Sequence, residues 1–167
     1  AYKVEKLKDI FKQLPTNIKY VPIDFLSESL PTLLFEKGYR DDLKTLFIWE
    51  GVTMYIASKA VDETLAFVSS NKAEGSAIIF DFTYKDVVEG TSEVFEAKEW
   101  LKITSKSDEP LTFGMEKGKI DEFLVKRGFN NVTCLTNDYF KENYFTGMNQ
   151  DKASTEILSL VHAEVKR

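Results

Sequence analysis

The sequence predicts an open α/β sheet in which strands alternate with helices joined by short turns. Apolar runs of strand length, at 18–23, 43–49, 76–82, 131–136 and 157–165, are separated by segments with helical apolar spacing. Two of the runs, LKTLFIW and SAIIFDF, are nearly continuous in apolar residues, as strands buried on both faces are. Three carboxylates, Asp24, Glu50 and Asp81, fall at or near the ends of the first three runs. Ligands of parallel α/β sheets bind beyond the carboxyl ends of the strands. Acids are also common there as helix caps.

Each element has its own signal. From Tyr2 to Leu14, apolar residues at Val4, Leu7, Ile10, Phe11 and Leu14 have helical spacing, and Pro15 ends the helix. Ile18–Ile23 reads as a short strand. Leu26–Lys37 reads as a helix made irregular by Pro31, with Gly38 suited to its end. Ser58 is an N-cap candidate for a helix running to about Asn71, with Val61, Leu65 and Val68 on one face. Gly75 then turns the chain into the 76–82 strand.

Residues 84–115 break the alternation and read as an insertion over the sheet. This stretch is loop-like near Glu89–Thr91, then helical with Ala97, Trp100, Leu101 and Thr104 on one side, then a loop, SKSDEP. LTFGM fits no single state. A helix at 118–127, with Ile120, Phe123 and Leu124 inward, closes at Gly128. A strand at 131–136, a short helix at 138–144 and a final strand, ILSLVHAEV, complete the pattern.

The bulk numbers exclude several classes of function. A chain of 167 residues suits one domain. The net charge of −5, with acids and bases interleaved, argues against nucleic acid or an anionic membrane surface as partner. No apolar run approaches the roughly 20 residues of a membrane span. With one cysteine, Cys134, and one histidine, His162, no His/Cys metal site is expected. By default Cys134 is a small buried apolar residue and His162 a structural one. The single cysteine and the charged, amphipathic opening AYKVEKLKDI suit a reducing compartment, so the expectation is cytoplasmic.

The strings VPIDF (21–25), TLFIWEGVTMYI (45–56), AVDETLAFV (60–68), AIIFDF (77–82), EPLTFG (109–114) and FLVKRGF (123–129) fall in the order of one family. Over nearly its whole length the chain resembles the S-adenosylmethionine-dependent methyltransferases related to leucine carboxyl methyltransferase, in the bacterial and archaeal O-methyltransferase branch. WEGVTMY is the most specific string. The resemblance implies a Rossmann-like class I methyltransferase sheet, with helices on both faces and a final antiparallel strand inserted between its neighbours. It also assigns residues. Asp24 and Phe25 are similar to the positions that meet the adenine, Glu50 to the glutamate beside the cofactor, and Tyr55 to the tyrosine near the transferred methyl group.

One departure is large. The family carries a glycine-rich loop after its first strand and an acid after its second, and neither motif is here. The chain has 8 glycines, none before Gly38. The segment from Ala1 to Leu14 matches the helix after the second strand. The expectation is therefore the C-terminal part of a longer methyltransferase domain, 1–167, lacking the first two strands. That leaves a gap between strands 18–23 and 43–49, with apolar faces and strand edges uncovered. The N-terminal half then belongs to a missing segment or a separate chain.

Methyl transfer is an in-line displacement at carbon, and alignment supplies up to about 7–11 kcal/mol in ideal cases. A cationic sulfonium is stabilised by carboxylates and aromatic faces. A carboxylate acceptor needs no general base, whereas a hydroxyl is helped by one. The resemblance thus implies O-methyl transfer to a carboxylate or hydroxyl of a small molecule or peptide terminus. Trp100, Phe113 and Met115 are candidate pocket residues under the insertion. Two rivals are a non-catalytic binding module on the same fold and a nucleotide-dependent oxidoreductase. The second lacks its glycine fingerprint here.

Overall fold

A computed structural model describes residues 2–11, 14–25, 27–152 and 154–167. The chain divides into two compact units, Ala1–Arg40 and Asp41–Arg167, each described by itself.

The first unit holds two helices, α1 (Tyr2–Ile10) and α2 (Leu30–Glu36). The helix expected to run to Leu14 is defined as far as Ile10; Lys12 and Gln13 lie outside the described residues. The strand expected at 18–23 is not formed. A strand exists only through a ladder, and among the described residues no strand pairs with these. The second helix starts at Leu30, not Leu26, which lies outside the described residues. Ser29 caps it and Pro31 sits in its first turn, where the missing N–H costs nothing. At its end Gly38 adopts φ +90°, the Tyr39 N–H reaches the Leu34 carbonyl and the Gly38 N–H reaches that of Phe35. This double bond closes the helix's open carbonyls.

The second unit is built on a four-stranded sheet in the order β1 (Leu46–Trp49), β2 (Ala77–Thr83), β4 (Leu158–Val165), β3 (Phe129–Leu135). The β1–β2 pair is parallel, and β4 runs antiparallel between β2 and β3. The final strand is thus inserted between its neighbours, as expected. Between β1 and β2 lies α3 (Ser58–Ser69), capped by Ala57 rather than Ser58. Its Val61, Leu65 and Val68 are buried, as their spacing predicts.

Residues on opposed positions of the ladder share a face. Phe47, Ile78, Phe80, Phe82, Val161, Ala163 and Phe129 point to the side that carries α3 and α6 (Ile120–Val125). Phe47 meets Phe67 of α3 edge-on at 6.1 Å. Gly128 follows α6 and packs on Ser69, and Arg127 pairs with Asp62 at 2.8 Å, so the two helices lie side by side. The core is on this side, with Phe80, Phe82 and Phe129 each no more than 1% exposed.

The opposite face carries the row Ile48, Ile79, His162, Thr133. Here the reading of β1 as buried on both faces is corrected: Leu46 is 55% exposed and Ile48 69%. A continuous apolar run marks a strand with neighbours on both sides, and β1 is the outermost strand of the described sheet.

Residues 84–115 form α4 (Lys85–Val88), which the sequence did not suggest, and α5 (Phe95–Thr104). Met54, Val87, Ala97, Leu111 and Ile157 form a satellite cluster there, with Tyr55 and Trp100 packed against it. LTFGM is extended. The Met115 N–H reaches the Thr83 carbonyl and the Lys85 N–H reaches that of Met115. A short helix, α7 (Asn137–Asn143), precedes β4. No helix among the described residues is long and apolar enough to cross a membrane.

Candidate functional site

The site sits where the β1–β2 ladder ends. The last registered pair is Trp49 with Phe80, so Glu50 and Asp81 are the next residue on each strand. The chain leaves β1 through Gly51, whose φ of +71° is left-handed and suits glycine. The turn is then tied down. The Gly51 N–H donates to Asp81 Oδ1 at 2.8 Å, and the Thr53 hydroxyl donates to the Asp81 carbonyl at 2.6 Å. Thr53 is wholly buried, so its bond is shielded from water, whereas the Gly51–Asp81 bond lies at the exposed surface.

At the other end of the strands, Asn71 and Ser76 are wholly buried and bonded at 2.7 Å. Asn71 also donates to the Leu43 carbonyl, and the Ser76 hydroxyl accepts the Thr45 N–H. This network fixes β1 against β2 and so fixes where Glu50 emerges.

Glu50 and Asp81 line one cavity of about 400 Å³. Its remaining walls come from far along the chain: Phe140 and Phe145, then Ser154 and Thr155, then Leu158, Ser159 and Leu160. Burial pushes the Asp81 carboxyl above its usual range; the Gly51 N–H opposes this and the nearby Glu50 charge adds to it. Glu50 itself is exposed at the mouth. The apolar run around it therefore hides no buried acid. A larger groove, about 650 Å³, lies along α6 beside Phe113, Met115, Lys85, Lys119 and Lys126. Its lysines are already paired with Glu116 and Glu122.

The candidate residues fall in different places. Asp24 and Phe25 belong to the first unit. The Asp24 carboxylate accepts the Ser27 hydroxyl at 2.7 Å, and the Asp24 backbone N–H donates to the Glu28 carboxylate at 2.7 Å. Glu50 lines the cavity. Tyr55 does not; its ring stands edge-on to Trp100, with centroids 6.4 Å apart. Phe113 and Met115 line the larger groove. His162 is half-buried on the sheet face away from the core. Burial raises the Cys134 thiol pKa. Sequence reasoning missed Phe140, Phe145 and the start of β4 as walls; nothing local distinguishes them from ordinary packing residues. Among the described residues no group of His, Cys, Asp and Glu side chains could hold a metal ion.

The sheet order, the inserted antiparallel strand and an acid-lined cavity at the parallel strand ends define the fold of the class I S-adenosylmethionine-dependent methyltransferases. Comparison with solved structures agrees. The S-adenosylmethionine-dependent methyltransferase SibL superposes with a TM-score of 0.60 at 9% identity, over 100% of this chain and 41% of its own. Human N-acetylserotonin methyltransferase gives 0.50 at 16%, over 93% and 36%. The leucine carboxyl methyltransferase family model matches residues 1–69. The Bacillus subtilis (strain 168) protein named "Putative S-adenosyl-L-methionine-dependent methyltransferase YktD" is 23% identical over 164 residues, 98% of this chain. The chain spans about half of that relative, 54% of its length. The likeness to the leucine carboxyl methyltransferases that the motifs imply is thus found by the family model over residues 1–69.

Proposed function

We propose that this chain carries the C-terminal part of the sheet of an S-adenosylmethionine-dependent O-methyltransferase. It acts on a carboxylate or hydroxyl of a small molecule or peptide terminus. The glycine-rich half is supplied by a segment outside the 167 residues. The observation that carries the reading is the placement of Glu50, just past the carboxyl end of β1, and Asp81, near that of β2, on one cavity.

The cavity suits such a cofactor by its chemistry. It offers two carboxylates and two phenyl rings, and no basic side chain among its described lining residues. Carboxylates and ring faces favour a cationic group. When bound, S-adenosylmethionine supplies an electrophilic methyl group on a positively charged sulfur. Glu50 would hold it, with Tyr55 near the acceptor, as the family positions imply. The Asp81 clamp keeps Glu50 from drifting, and such alignment is what in-line transfer most requires. The stretch 84–115 is proposed as the insertion that shapes the acceptor side.

Calorimetric titration of S-adenosylhomocysteine into the full-length protein tests this. Glu50→Ala is expected to weaken binding by about one to three kcal/mol, the size of a lost charge-assisted contact. Unchanged affinity, with circular dichroism showing an intact fold, would remove Glu50 from the site. No binding to the parent protein would favour the non-catalytic module instead.

A further inference from the structure

We infer that the hollow between α4 and α5 is a second binding site, for a small monocarboxylate with an apolar body. It shares no lining residue with the cavity assigned to the cofactor, and its occupancy does not depend on that assignment.

The hollow has a volume of about 430 Å³, within the range of small-molecule sites. The chain leaves α4 through Gly90, at φ +71°, where a Cβ would come within 3.1 Å of Leu101 Cδ2. Glycine thus lets the turn close against α5. The Thr91 and Ser92 N–H groups both donate to the Asp86 carbonyl, at 2.9 and 3.0 Å, and hold that turn. Val87 and Ala97, both buried, form an apolar floor with Leu101. All three belong to the packing of the satellite cluster, so the hollow is preformed in the folded unit.

The polar groups decide the head. Lys98 and Lys102 are four residues apart on α5, which puts them on one face, and both line the hollow. Lys98 makes no ion pair among the described residues, and Lys102 meets Glu99 at a loose 3.7 Å. No Asp or Glu is among the described lining residues. The groove along α6 differs, because Glu116 and Glu122 within its own lining match its lysines. Ser92 supplies a third donor. It is 5% exposed, its oxygen accepts the Val94 N–H at 3.4 Å, and its O–H donates to no described residue. A buried hydroxyl without an acceptor favours a ligand that brings one. A carboxylate accepts from ammonium and hydroxyl alike, and the floor takes the apolar body.

Three probes with the same six-carbon chain separate the cases: hexanoate, hexanamide and hexylamine. Each is titrated by ligand-observed NMR into the full-length protein at neutral pH and low salt. Hexanoate is expected to bind, hexanamide at least about threefold more weakly, the scale of exposed ion pairs, and hexylamine more weakly still. In Lys98→Glu/Lys102→Glu, with both changes at exposed positions, hexanoate should weaken at least about tenfold and hexylamine should become the tightest of the three. Loss of folding cannot produce that reversal. Lys98→Gln, which removes one charge, should bring hexanoate within about twofold of hexanamide. Saturating S-adenosylhomocysteine should leave hexanoate bound. Hexanoate no tighter than hexanamide, an unchanged order of the probes in both variants, displacement by S-adenosylhomocysteine, or no binding of hexanoate overturns the site. A protein that binds hexanoate but not S-adenosylhomocysteine supports the site and fails the methyltransferase reading alone.

Discussion

Asp81 holds Gly51. The Asp81 carboxylate, near the carboxyl end of β2, accepts, at 2.8 Å, the N–H of the glycine that turns the chain out of β1. Glu50 lies immediately before that glycine, so its direction is set by a residue on the neighbouring strand. Removing the acceptor leaves the Gly51 N–H without its partner. We expect Asp81→Ala to cost about 0.5–1.5 kcal/mol, the net worth of a hydrogen bond whose exposed donor water can satisfy, and Asp81→Asn less. Urea unfolding of the two variants checks the difference.

The same turn requires glycine for a backbone reason. A Cβ at Gly51 would meet nothing within 4 Å, so space is not the constraint; its φ of +71° is. Gly51→Ala should therefore destabilise by about 1–2 kcal/mol through backbone strain alone. The crystal structure of the variant should show the turn rearranged, not the neighbours displaced.

Asp81 also gives the stability a pH dependence. Its folded pKa lies above the ordinary 3.8, from burial first and the Glu50 charge in addition. Between the two pKa values the folded state holds more protons than the unfolded state, so this residue's contribution falls as pH rises through that window. Above the folded pKa it is constant. Stability of Asp81→Asn relative to the parent should thus rise with pH from about 4 upward and then level off, since Asn does not titrate. A flat difference across acid pH would contradict the assigned shift.

Gly114 is constrained by space. A Cβ there would stand 2.7 Å from the Tyr84 carbonyl oxygen and 2.8 Å from Lys85 Cα, both backbone atoms that cannot swing away. Gly114→Ala is expected to cost about 1–3 kcal/mol, as overpacking does. Hydrogen exchange should speed at Met115 and Lys85, whose N–H groups make the bridge beside it.

Ile48 reports on what covers β1. In these 167 residues it is 69% exposed on an edge strand. The proposed glycine-rich half would cover that face. In the full-length protein Ile48→Lys should then destabilise by about 2 kcal/mol or more, because a buried apolar contact is exchanged for a charge. A neutral effect in thermal unfolding would leave β1 as a true edge.

Much of the fold was legible because periodicity reports burial. Val61, Leu65 and Val68 mark the buried face of α3, and SAIIFDF marks a central strand. Two readings failed where the signal depends on neighbours. Residues 18–23 carry strand-like composition but pair with no strand among the described residues. The apolar run at Leu46–Trp49 predicts burial on both faces, and half of it is exposed. Antiparallel insertion of the last strand came through family resemblance, since nothing in ILSLVHAEV encodes direction. The site was half legible. Glu50 stood out as an acid inside an apolar run. Asp81, which holds the next residue, Gly51, lies 30 residues beyond that glycine, and the cavity's aromatic walls lie further still, so only the folded chain joins them.

The most direct test of the central claim is a crystal structure of the full-length protein with S-adenosylhomocysteine. The account predicts the ligand in the cavity at the ends of β1 and β2, with the Glu50 carboxylate within hydrogen-bond distance of it and the Asp81–Gly51 bond intact. Ligand bound elsewhere, or bound there without contact to Glu50, would contradict it.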